Sequence, residues 1–234
     1  NVSQVLLANC SQMVVDGLTV QNVSVGISAC YSDNCTVSNN SVLNCGDGVL
    51  VSMSSAFIVA ENSLDSQESS VLVHHSQNVT VIDNLIAGSL GSYAGVEASG
   101  CERFLALNNT CLGEFEYGVV IHASLDSAAF NNTCIGNSIG MLLEEGFSPP
   151  TPDQGNLTAG GNLLSNCSIR IVIHSAGCTL RNNTMVGCGL MPHGLISELT
   201  AQLGEKLLEI TPASLTRYDI ALDGAEAVEI AVRM

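Results

Sequence analysis

Thr36-Val37-Ser38-Asn39-Asn40-Ser41, Ala106-Leu107-Asn108-Asn109-Thr110-Cys111, Ala129-Phe130-Asn131-Asn132-Thr133-Cys134 and Thr179-Leu180-Arg181-Asn182-Asn183-Thr184 are nearly one hexapeptide written four times. Weaker copies centre on Asn62, Asn84 and Asn162, and a first copy places Gly17 where the others have asparagine. The series 17, 40, 62, 84, 109, 132, 162 and 183 advances by about 22 residues, with one long step between Asn132 and Asn162. Such a period is the signature of a solenoid. Each unit is too small to bury an apolar face alone, so neighbours must stack.

Within each unit a polar stretch follows the asparagine, and then comes a short strand usually opened by glycine. Gly48-Val49-Leu50-Val51, Gly118-Val119-Val120-Ile121-His122 and Gly140-Met141-Leu142-Leu143-Glu144 are the clearest. Leucine-rich repeats share this period, but their Leu-x-x-Leu-x-Leu-x-x-Asn spacing and helical segments are absent. Alternation along a strand sends Val119 and Ile121 inward and Val120 and His122 outward. Two residues after each repeat centre stand Thr19, Val42, Leu64, Ile86, Cys111, Cys134, Leu164 and Met185, a column suited to the core. The asparagines themselves form an inward ladder, whose amides hydrogen-bond from rung to rung and whose residue type tolerates the left-handed turn.

With these features the sequence resembles the NosD-like parallel β-helix repeat family, a class associated with carbohydrate-binding proteins and sugar hydrolases. The resemblance covers residues 1–197 and rests on the Asn-Asn-Thr turn and the Gly-Ile/Val-x-Val strand. It implies an all-β, right-handed parallel β-helix of about eight rungs. Because many activities sit on one scaffold, it says less about function.

Composition narrows the function. The chain has 234 residues, 46% of them apolar, 4% aromatic and none tryptophan. Six Lys and Arg face 22 Asp and Glu, for a net charge of −16, which excludes nucleic acid as a partner through any basic face. No apolar run is long enough to span a membrane. The chain opens on Asn1-Val2-Ser3 without an initiator Met or a signal peptide, so it reads as a mature or excised piece. Asn-X-Ser/Thr sequons begin at Asn1, Asn9, Asn22, Asn34, Asn39, Asn78, Asn108, Asn131, Asn156, Asn166 and Asn182. Glycosylation would place the chain outside the cytosol, although the Asn-Asn-Thr turn also generates several sequons by itself. The ten cysteines show no Cys-x-x-Cys pair, which argues against a zinc ribbon. They stack as thiols along the rungs, or pair between rungs, with Cys167–Cys188 and Cys10–Cys35 the best-placed pairs.

From Ser197 the pattern changes. An amphipathic helix is expected over 198–210, then two strands joined at Asp223-Gly224. Residues 198–234 are therefore either a C-terminal cap over the last rung or the start of a truncated following domain. The proline-rich segment 147–155 is a protruding loop, either a lip over a binding face or a tolerated insertion.

The candidate site is a row of outward residues about twelve positions after each asparagine. It holds Ser52, His74, His122, Glu144 and His174, with Glu97 in the rung between His74 and His122. Imidazole and carboxylate on one face suit general acid–base chemistry or polar contacts to a sugar. A metal site is not expected, and the weak candidates for one are His122, Glu97 and Glu144. No cofactor is expected, and no catalytic residue is assigned. Of the aspartate pairs and His-Gly element of pectin-hydrolase-like β-helix enzymes, the chain holds only His193-Gly194. The expected function is thus an extracytoplasmic module, at the cell surface or in the periplasm. Its partner is a polysaccharide or cell-surface glycan, or it serves as a scaffold. The alternatives are a glycoside hydrolase or lyase using the His/Glu row, and a NosD-like periplasmic metal-handling protein.

Overall fold

A computed structural model describes residues 4–144, 156–174 and 178–187. The described residues form 24 strands and no helix, arranged as the expected parallel β-helix. The segment 147–155, the proposed cap 198–234 and Cys188 lie outside the described residues.

Every third strand belongs to the same sheet. The first sheet runs β1 (Val5–Ala8), β4 (Val25–Cys30), β7 (Asp47–Ser52), β10 (Val71–His74), β13 (Ala94–Ser99), β16 (Tyr117–His122), β19 (Ile139–Glu144) and β22 (Ile169–His174). The second starts at β2 (Val14–Asp16) and β5 (Thr36–Ser38), continues through β8 (Ser55–Ala60), β11 (Gln77–Ile82), β14 (Leu105–Leu107), β17 (Ala128–Phe130) and β20 (Thr158–Gly160), and ends at β23 (Thr179–Arg181). The third starts at β3 (Thr19–Gln21) and ends at β24 (Thr184–Val186). All pairings are parallel, so one repeat of sequence becomes one turn of the coil, and residues a repeat apart become neighbours.

The interior is a set of stacked columns. Val15, Val37, Val59, Val81, Ala106, Ala129 and Ala159 line the second sheet and are buried. Val20, Val42, Leu64, Ile86, Cys111, Cys134 and Leu164 line the third. The large rings Phe57, Phe104 and Phe115 are also fully buried. Phe115 takes the space that a side chain at residue 88 would need: a Cβ built on Gly88 would lie 2.4 Å from its ring. Gly118 is forced in the same way, since a Cβ there would sit 2.6 Å from the carbonyl of Gly140. This accounts for glycine at the head of the first-sheet strands.

The asparagine ladder forms as expected, from Asn40 through Asn62, Asn84, Asn109, Asn132 and Asn162 to Asn183. At each step the side-chain amide donates to the next Oδ1, and the same Oδ1 accepts the backbone N–H of the residue below. The amide's second hydrogen goes to a second-sheet carbonyl of the preceding rung, as from Asn109 to Val81 at 2.8 Å.

Two expectations about this turn are corrected. The left-handed backbone belongs to the residue before the ladder position. Asn39, Glu61, Asp83, Asn108, Asn131 and Asn182 have φ between 53° and 56°, whereas no ladder asparagine has positive φ. The pair thus divides its work: the first residue makes the corner and the second turns inward. The first copy is also displaced by one residue. Leu18, not Gly17, donates its N–H to Asn40 Oδ1 at 2.9 Å, so Val20 enters the core in place of Thr19.

The cysteines follow the columns. Cys111 and Cys134 lie in register, and Cys10, Cys30, Cys35, Cys45, Cys101, Cys111 and Cys134 are free thiols, so the expected Cys10–Cys35 pair is not formed. A buried thiol here fills space as a small apolar group.

Replacing Asn132 by Leu leaves the backbone N–H and one side-chain amide hydrogen of Asn109 without their acceptor, and takes one donor each from the Ala106 carbonyl and Asn162 Oδ1, in a dry interior. The variant is expected to lose about 1–3 kcal/mol of stability, read as a lower urea midpoint. An unchanged midpoint would remove the structural role of the ladder.

Candidate functional site

The outer face of the first sheet carries the predicted row, with one change of register. Cys30, Ser52, His74, Ser99, His122, Glu144 and His174 follow one another in adjacent strands. The residue between the two histidines is therefore Ser99. Glu97 lies two residues upstream, in the column Leu50, Leu72, Glu97, Val120, Leu142 and Val172. Its longer side chain still reaches the gap. Glu97 Oε1 lies 3.9 Å from His74 Nε2 and 3.6 Å from His122 Nε2, so one carboxylate bridges two imidazoles two strands apart. Glu144 is the in-register neighbour of His122, and His174 extends the row by one strand.

Glu97 is nearly buried, with 12% of its side chain exposed, whereas 29% of His122 and 39% of His74 reach solvent. Its other oxygen accepts the Ser69 hydroxyl at 2.8 Å. Burial alone would push the Glu97 carboxyl upward. The His122 and His74 imidazoles and the Ser69 hydrogen bond outweigh it and hold the pKa at about 2. Ser69 also ties in Asp47, whose carboxylate accepts the Ser69 backbone N–H at 3.2 Å. Burial, against that bond, raises the Asp47 pKa.

Two tyrosines complete the patch. The rings of Tyr93 and Tyr117 meet edge to face, with centroids 5.3 Å apart. Burial, with Glu97 and then Glu116 nearby, raises the Tyr93 phenol. Burial and the Glu116 side chain push Tyr117 up to about 12. Both phenols stay protonated and able to donate. On the far side of Glu97, Val120, Leu142 and Val172 point outward as their alternation requires, yet they are buried and cluster with Ala94. The carboxylate thus sits where a polar patch meets an apolar one.

Ser69, Asp47, Tyr93 and Tyr117 were not among the predicted residues. Asp47, Ser69 and Tyr117 align with Ala94 in the column that precedes the strand openings at Gly48, Ser70, Gly95 and Gly118, and Tyr93 lies one residue before that column. Among the described residues no group of three or more His, Cys, Asp or Glu side chains is placed to hold a metal ion. The two imidazole nitrogens face one Glu97 oxygen, so the carboxylate occupies the space between them.

The first 148 residues match the family described as periplasmic copper-binding protein (NosD). The chain belongs to that family. Among solved structures it is similar to the A-module of the mannuronan C-5 epimerase AlgE6 of Azotobacter vinelandii, at 18% identity and a TM-score of 0.51, over 82% of this chain and 59% of that one. It is similar to the periplasmic alginate epimerase AlgG at 15% identity and 0.52, over 76% of this chain and 50% of that one. An exopolygalacturonase of Thermotoga maritima matches at 15% and 0.50, over 79% and 55%. This NosD-family chain therefore spans between half and three-fifths of those structures, and the likeness is one of fold. A 53-residue stretch is also 45% identical to a Methanocaldococcus jannaschii protein named adenosylmethionine-8-amino-7-oxononanoate aminotransferase, covering 10% of it. Among the described residues no set of three or more such donors fits a copper ion.

Glu97 has a folded pKa below its ordinary value of 4.5. Its contribution to stability is complete above the unfolded value and is lost as pH falls from about 4.5 towards about 2. The stability difference between wild type and Glu97→Gln should therefore shrink over that window, measured by urea unfolding at a series of pH values. A difference that stays constant with pH contradicts the assignment.

Proposed function

We propose that this chain is an extracytoplasmic carbohydrate-binding module. It receives an uncharged polysaccharide on the outer face of the first sheet, at Tyr93, Glu97, Tyr117, His74 and His122. The observation that carries the reading is the Glu97 carboxylate, kept ionised and aimed by Ser69 between two imidazoles beside a tyrosine pair. Sugar hydroxyls are donors that a fixed carboxylate can accept, and imidazoles and phenols supply donors in return. Tyr93 is 39% exposed and offers ring surface for a pyranose face.

Two further considerations shape the proposal. A net charge of −16 disfavours an anionic glycan, so a neutral chain is the better partner. A carboxyl at about pKa 2 is a poor general acid and a weak base near neutrality, which favours binding over hydrolysis. The fold relatives named for alginate and polygalacturonate support a polysaccharide-handling scaffold.

The test is binding to an array of neutral and anionic polysaccharides, with a reducing-end assay run in parallel. Wild type should retain a neutral polysaccharide and release no new reducing ends. Glu97→Gln and Tyr93→Ala should each weaken retention at least tenfold, about 1.4 kcal/mol, and His122→Ala should weaken it with little change in melting temperature. Retention indifferent to all three, or a preference for polyanions, overturns the proposal. New reducing ends would instead establish an enzyme.

A further inference from the structure

The described asparagines fall into two populations that differ in conformation, exposure and the residue two positions on. Eleven have positive φ: Asn9, Asn22, Asn34, Asn39, Asn44, Asn78, Asn108, Asn131, Asn156, Asn166 and Asn182. All except Asn44 begin an Asn-X-Ser/Thr sequon, and all ten sequon asparagines are exposed. The seven ladder asparagines and Asn137 begin none. Every acceptor sequon among the described residues is therefore presented on a solvent-facing corner.

The fold explains the asparagine but not the hydroxyl. Asparagine tolerates the left-handed corner better than most residues. If strand preference alone set the position two residues on, Ser or Thr would appear there whatever occupied the corner. It does not. Where the corner is Gln12, Tyr31, Ala56, His75, Asp83, Arg103, Ala123 or Asp126, that position holds Val14, Asp33, Ile58, Gln77, Leu85, Leu105, Leu125 or Ala128. Only Met53 and Glu61, among the other non-glycine corners, are followed there by serine. Nor does the corner side chain hold that hydroxyl at Asn39, Asn78 or Asn156. At Asn39 the side-chain nitrogen bonds Asp16, and at Asn156 it bonds Asp126, not the hydroxyl two residues on. Asn78 uses only its oxygen, towards Arg103. A glycosyl amide keeps one N–H, so those contacts survive substitution.

We infer that this chain carries N-linked glycans at these corner asparagines. The acceptor is the side-chain nitrogen of each, and the donor is an oligosaccharide activated as a lipid-linked phosphate ester. The nitrogen attacks the anomeric carbon, the carbon–oxygen bond to phosphate breaks, the phosphate leaves with the electron pair, and the amide nitrogen releases a proton. Seven of the ten, Asn34, Asn39, Asn78, Asn108, Asn131, Asn156 and Asn182, stand at the ends of second-sheet strands. The strands bearing His74, Glu97 and His122 are bordered instead by His75, Gly100 and Ala123 and have no sequon at either end. The glycans would sheathe the second sheet and leave the first-sheet patch open. This inference stands on the sequons and not on the binding proposal.

The test is glycopeptide mass spectrometry on the chain recovered from its own organism, with variants expressed in that organism. Sugar should be found on sequon asparagines and on neither Asn44 nor the ladder. Thr110→Val should abolish the Asn108 glycan and Thr110→Ser should keep it, with equal amounts of folded protein confirmed by circular dichroism. All ten asparagines unmodified, sugar on Asn44, or an Asn108 glycan that survives Thr110→Val overturns the inference.

Discussion

A buried primary amide brings two hydrogens and a carbonyl oxygen into a place water does not reach, and each must find a partner. In this solenoid the partners are the same groups one rung away. Each ladder asparagine touches both neighbouring rungs, downward through a backbone carbonyl and upward through the next side chain. The arrangement is satisfied only when repeats stack in one register. A shift of one residue would bring Ser41, Ser63, Leu85, Thr110, Thr133, Leu163 and Thr184, or the corner residues on the other side, to where the amides must be. The core columns then follow, since residues at fixed offsets from the asparagine face inward together.

That dependence explains why so much of the fold was legible. The repeat of Asn40, Asn62, Asn84, Asn109, Asn132, Asn162 and Asn183 is a one-dimensional signal that maps directly onto the stack. Errors arose where the signal was read one residue out. Gly17 looks like a ladder residue because glycine and asparagine both accept a left-handed corner, but corner and ladder are adjacent positions.

The site was legible in its members but not in its assembly. His74, His122 and Glu97 were recognisable as outward residues, and the structure brings them together. What the repeat could not show is reach: Glu97 spans from its own column to the neighbouring one, and Ser69 fixes its orientation from a third. Insertions shift Glu97 and His122 against the asparagine count, so counting alone misaligns them. Burial of Val120 and Leu142 on the outward side was invisible for another reason, because alternation assigns direction and not cover.

The central claim is that the ladder amides hold the rungs cooperatively instead of each stabilising its own turn. A double-mutant cycle on Asn109→Leu and Asn132→Leu, followed by urea unfolding, tests it most directly. Their side chains share the bond from Asn109 Nδ2 to Asn132 Oδ1 at 3.0 Å. The account predicts a coupling energy of about 1 kcal/mol or more, with the double variant less destabilised than the sum of the single ones. Strict additivity would contradict it.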